Sequence, residues 1–119
     1  GLGDVYKRQA VGNDISTSTF EDIFSKQIEA LGMEGDVAWG ISTSGEAANV
    51  LAGLKVARNR GLRTIGMTGS GAGKMAEFAQ ILLRVDGENT ARIQECHITM
   101  AHIICELVDY QLFQRLSSP

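Results

Sequence analysis

Proline is all but missing. The single one is Pro119, the last residue, so no proline marks a linker or breaks a helix inside the chain. No apolar run approaches the ~18 residues of a membrane-crossing helix. The first residues lack the charged-then-apolar pattern of a signal peptide. A cytoplasmic protein with no membrane contact is therefore expected. A basic excess is missing too: 11 Lys and Arg stand against 14 Asp and Glu, for a net charge of -3. The basic residues form no dense run that could displace counterions, so nucleic acid is not an expected partner. Cysteine is down to two, Cys96 and Cys105. They sit nine apart on one predicted helix, a rise of roughly 13 Å, too far for a disulfide. Two buried thiols in a reducing compartment are expected.

What is present fits one globular domain. Hydrophobic residues make up 44% and charged residues 21% of 119, enough apolar surface for a small core and too little charge for disorder. Residues 1–9 (GLGDVYKRQ) match neither a helix nor a strand period. They are expected to be non-native or disordered, with the domain itself in 10–119.

Ser18 and Glu21 form a capping-box pattern. Phe20, Ile23, Phe24, Ile28 and Leu31 then recur at helical spacing up to a stop at Gly32. Residues 36–41 (DVAWGI) read as a short buried strand, and 42–46 (STSGE) as a polar turn. A second helix presents Ala47, Val50, Leu51, Leu54 and Ala57 on one face and ends before Gly61. Residues 63–68 (RTIGMT) are a second strand, 69–73 a Gly-rich loop, 74–79 a short helix, 81–85 a third strand and 86–89 a turn. A long helix runs from Thr90 to about Leu116. Strands alternating with helices through short loops predict an α/β fold, a parallel sheet with helices on both faces. Between Ile98 and Leu107 the last helix is apolar nearly all round, and three strands cover only one of its sides. Its other sides are expected to meet another subunit.

In open α/β sheets ligands bind beyond the carboxyl ends of the strands. One such place is Ser42-Thr43-Ser44-Gly45, which leaves a strand and opens a helix. Free N–H groups and the positive dipole end of that helix suit a phosphate, and three hydroxyls add donors. The alternative is that Ser44 merely caps the helix. A second place is TGSGAGK over 68–74. It is not a P-loop, because Thr68 stands where the first glycine belongs and Met75 where Ser or Thr must follow Lys74. It is not a dinucleotide fingerprint either, since no glycine follows Gly69 and Gly71 at the required spacing. A plain strand-to-helix turn remains. The long helix carries Arg92, Gln94, Glu95, His97 and His102. Gln94 and His102 share a broad face, whereas His97 and His102, five apart, miss the spacing of a zinc-protease pair. Taken alone, His102 reads as a buried, hydrogen-bonded histidine, with a metal ligand as the alternative.

Together, GDVAWGISTSG (35–45), Asn49-Val50-Leu51, TIGMTG (64–69) and TARIQE (90–95) with His97 and His102 resemble the phosphoheptose isomerases, within the sugar isomerase (SIS) type. Asn13-Asp14, FEDIF (20–24) and Glu29-Ala30-Leu31-Gly32 match the preceding segment, so the resemblance spans about 10–113. It implies a flavodoxin-like SIS domain that converts sedoheptulose 7-phosphate to D-glycero-D-manno-heptose 7-phosphate for lipopolysaccharide precursors. It implies a homotetramer with zinc. Carried over, Ser42, Thr43 and Ser44 bind the substrate phosphate, and Asp14 and Gln94 contact substrate. Gln94 and His102 ligate metal, and His102 acts as general acid/base. Family members carry, further upstream, a strand, a Gly-rich turn with another serine, and a helix supplying a His and a Glu to the same site. The N-terminal part is thus expected to be missing here, leaving a partial domain with three strands that is inactive alone. Ala47 and Ala91 replace a serine and an aspartate found in members, and ISTST (15–19) is longer than usual. The alternatives are a non-catalytic relative of the replication-initiator-associating type and a sugar-phosphate-sensing domain.

Overall fold

The computed structural model describes residues 20–114. A 3-10 turn (Phe20–Asp22) leads into α1 (Ile23–Leu31), and β1 (Val37–Ile41), α2 (Ala48–Asn59), β2 (Arg63–Thr68), α3 (Met75–Phe78), β3 (Ile81–Arg84) and α4 (Thr90–Asp109) follow. A π-helical turn, Tyr110–Gln114, ends the described chain. The sheet is parallel with order β1-β2-β3, so each outer strand has one neighbour among the described residues. The α/β expectation holds element by element.

Two glycines set how closely the helices approach. Gly40 and Gly66 are partners across β1 and β2. A Cβ on Gly40 would lie 2.9 Å from Val50 Cγ1 and 3.0 Å from Leu54 Cδ1. One on Gly66 would lie 2.6 Å from Met75 Sδ and 3.0 Å from Ala79 Cβ. The pair therefore faces one side of the sheet, where α2 and α3 rest on bare backbone. Leu54, Ala57 and Met75 are fully buried on this side, and Met67, next to Gly66 in β2, is fully buried on the other. Helix α1 packs on the back of α2, with Phe24 and Ile28 against Gly53. Buried Thr64 is fully used: its hydroxyl donates to Phe78 O at 2.9 Å, and its N–H to Gln80 Oε1 at 3.1 Å.

Boundaries shift where local chemistry dictates. Ala47 stands just outside α2 in an extended conformation. Gly32 N–H makes the last i→i−4 bond of α1, to Ile28 O, and its extended backbone (ψ 134°) then turns the chain out of the helix. Val85 is outside β3, yet its N–H still bonds Thr68 O at 3.1 Å. The long helix is regular to Asp109 and then widens into the π turn. Ser18 and residues 1–9 lie outside the described residues.

The cysteine expectation is corrected. Both thiols are free, and both are exposed. The least exposed stripe of α4 is Ile93, His97, Met100, Ala101 and Ile104, at helical spacing, and neither cysteine lies on it. Ile98, Ile103, Leu107 and Val108 are exposed on the remaining faces. No helix among the described residues is long and apolar enough to cross a membrane.

Gly40→Val should overpack the α2 contact and lower stability by about 1–3 kcal/mol, read as a fall in the urea midpoint with an unchanged slope.

Candidate functional site

Ile41 pairs with Met67, so β1 and β2 end level with each other, and the chain leaves both strands at the same edge of the sheet. Residues 42–45 and 68–73 are consequently neighbours. Gly69 N–H donates to Thr43 O at 2.9 Å, Met75 N–H to Gly45 O at 3.1 Å, and Lys74 N–H to Glu46 Oε1 at 3.1 Å. Gly45 has φ +69° and Gly73 φ +55°, both in the left-handed region where glycine is favoured. A Cβ on Gly45 would strike the Ala72 carbonyl, and one on Gly73 would lie 2.6 Å from Gly45 O. The Gly-rich loop after β2 is thus a backbone buttress for the turn after β1.

Within that turn the hydroxyls are already oriented. Ser42 is 8% exposed, Thr43 half-buried and Ser44 exposed. Ser44 Oγ accepts Glu46 N–H at 3.1 Å, and Ser42 Oγ accepts Ala47 N–H at 3.4 Å. The two hydroxyls lie 3.3 Å apart, so one donates to the other. Backbone donors occupy lone pairs of both oxygens, and the bond between the two hydroxyls uses only one of their two O–H protons. Ser44 does not cap α2, whose N-cap is Ala47 with no side-chain cap hydrogen bond; it closes a turn ahead of the helix, in a cluster of hydroxyls suited to an oxyanion.

Helix α4 begins with Asn89, whose side chain accepts Arg92 N–H at 3.0 Å. Arg92 and Glu95 form an exposed ion pair at 2.8 Å, worth a few tenths of a kcal/mol at most for an i,i+3 surface pair. Gln94 and His102 are both exposed. The buried histidine is His97, not His102. His97 is 2% exposed and its Nε2 lies 2.8 Å from Thr68 O. The two histidines are five apart, so they cannot share a face, and His97 falls on the inward stripe one turn after Ile93. That stripe was the signal sequence reasoning overlooked. Asp14 lies outside the described residues.

Zinc takes three or four protein ligands. Among the described residues no three His, Cys, Asp or Glu side chains gather. Gln94 and His102 are two donors at most, so the described residues do not by themselves fit a zinc ion.

The sequence pattern of the SIS domain matches residues 7–69, more than half of the chain. Phosphoheptose isomerase from Nitratidesulfovibrio vulgaris is 50% identical over 107 residues, 90% of this chain and 50% of that protein. The phosphoheptose isomerase of Aquifex aeolicus is 50% identical over 106 residues, 89% of this chain and 54% of its own length. A solved phosphoheptose isomerase from Neisseria gonorrhoeae superposes with a TM-score of 0.75 at 43% identity, over 81% of this chain and 54% of that one. The chain spans about half the length of the curated relatives it matches. The matched pattern takes in β1, the hydroxyl turn and β2 up to Gly69, and on that match the chain belongs to the SIS domain family.

Proposed function

We propose that the protein containing this chain is a cytoplasmic isomerase that converts sedoheptulose 7-phosphate to D-glycero-D-manno-heptose 7-phosphate, supplying heptose for lipopolysaccharide precursors. The observation that carries this reading is the preorganised turn Ser42-Thr43-Ser44 at the end of β1, held open by the loop after β2. Relatives at 50% identity that bear the phosphoheptose isomerase name support it.

In this reading the turn holds the phosphate through hydroxyls and the N-terminus of α2, and fixes the far end of the sugar. The chemistry takes place at C1 and C2. A proton leaves C1 of the ketose, the electron pair forms the C1–C2 enediol, and a proton returns to C2. The hydroxyl hydrogen on O1 is lost and O2 gains one, so the atoms balance. His102, exposed on α4, serves as one proton-transfer group, with its partner outside the described residues. Gln94 contacts substrate from the same helix, as Asp14 does from the N-terminal segment. Gln94 and His102 are this chain's contribution to a zinc site whose remaining ligands lie outside the described residues. The exposed apolar sides of α4 pack against other copies in a homotetramer.

His102→Ala in the intact protein should lower kcat by about 10²–10⁴-fold, the usual worth of a general acid/base, with an unchanged melting temperature. Wild-type turnover would remove His102 from the mechanism. Ser44→Ala should raise KM by about tenfold or more, the loss of one charge-assisted hydrogen bond. A fall in kcat at constant KM would count against phosphate binding in the turn. Leu107→Glu should shift sedimentation toward smaller species, because it places a charge on an apolar interface.

A further inference from the structure

We infer that His97 is a positioning residue that ties the phosphate-binding turn to the helix carrying Gln94 and His102, through the one peptide group between Thr68 and Gly69. The inference rests on the isomerase reading for its kinetic consequence, though not for its geometry.

Among the described residues His97 is the largest buried polar side chain, at 2% exposure. Its Nε2 meets a carbonyl oxygen, which only accepts, so Nε2 carries the hydrogen. Nδ1 is buried with no hydrogen-bond partner among the described residues. An apolar side chain of similar size would avoid that desolvation cost, so stability alone gives no reason for an imidazole here. Direction does.

Thr68 O accepts His97 Nε2 at 2.8 Å and Val85 N–H at 3.1 Å, which uses both of its lone pairs. The other end of the same peptide group is Gly69 N–H, which donates to Thr43 O in the hydroxyl turn at 2.9 Å. A peptide group is planar and stiff, so its C=O and N–H move as one body. Hydrogen bonds in series also polarise one another. The bare Cα of Gly69 permits this close fit: a Cβ there would lie 2.7 Å from Thr43 O and 3.0 Å from Ile93 Cδ1. Ile93 and His97, one turn apart, are the two buried residues of α4. The helix is therefore anchored at one spot, beside the turn. Gln94 lies three residues before His97 and His102 five after it, on one continuous helix. Without the anchor, the turn still grips a phosphate but α4 is free to shift along the sheet edge. Small misplacements of reacting groups cost large factors in rate.

The test compares two polar replacements in the intact protein. Glutamine places its amide nitrogen close to where Nε2 sits, and asparagine stops short of Thr68 O. His97→Asn should lose about tenfold or more in kcat with KM within about threefold of wild type, and His97→Gln should stay within about threefold throughout. Equal losses in both variants, a loss carried by KM, or full activity in His97→Asn overturns the inference. A second measurement needs no variant. Inorganic phosphate titrated into the wild type, followed by NMR, should shift the His97 ring resonances in step with the Gly69 amide and the residues of the turn. A wild type that shows this response but turns over no sugar phosphate sinks the isomerase reading and leaves the coupling standing. An active wild type whose His97 ring ignores phosphate overturns the coupling alone, and no response anywhere in the turn removes both.

Discussion

The structure depends on the mutual hydrogen bonding of two loops that leave adjacent parallel strands at the same level. Parallel register brings Ile41 beside Met67, so the turn after β1 and the loop after β2 have to share one small space. Each satisfies the other's backbone: Gly69 N–H on Thr43 O, Met75 N–H on Gly45 O. Glycines at 45, 69 and 73 make the approach possible, because a side chain at any of them would collide with backbone oxygen. Donors held in place this way need little reorganisation when an anion arrives. Everything else near the site, from the start of α2 to the anchoring of α4, takes its position from this lock.

Much of this was legible in the sequence. Strands stood out as apolar runs bounded by glycine and polar residues, and the hydroxyl turn followed from its place between a strand and a helix. The role of residues 69–73 was not legible. Motif spacing excluded a nucleotide loop, but a loop that serves another loop does so through main-chain atoms, which leave no trace in side-chain identity. His102, expected to be buried, is exposed, and the burial of His97 was not anticipated. Their environments differ because residues five apart on a helix point in different directions, and only the neighbour of Ile93 faces the strand ends. The cysteines were expected inside on account of their type, whereas their exposure follows from which sides of α4 are covered.

Helix α4 has more apolar surface than three strands can shelter. It presents Ile93 and His97 inward and leaves Ile98, Ile103 and Leu107 outside. The residues proposed for proton transfer and metal binding sit on this same helix. In the proposed tetramer, assembly and chemistry therefore act on one rigid rod, and substitutions on its apolar sides bear on both.

The outer strands carry a consequence of their own. β1 and β3 each have a single partner among the described residues, and exposed Val37, Ile41 and Ile81 flank their unpaired backbone groups. Bare, apolar edges of this kind recruit any extended chain at hand. Among the described residues, those two margins are therefore where a further extended segment can join the sheet.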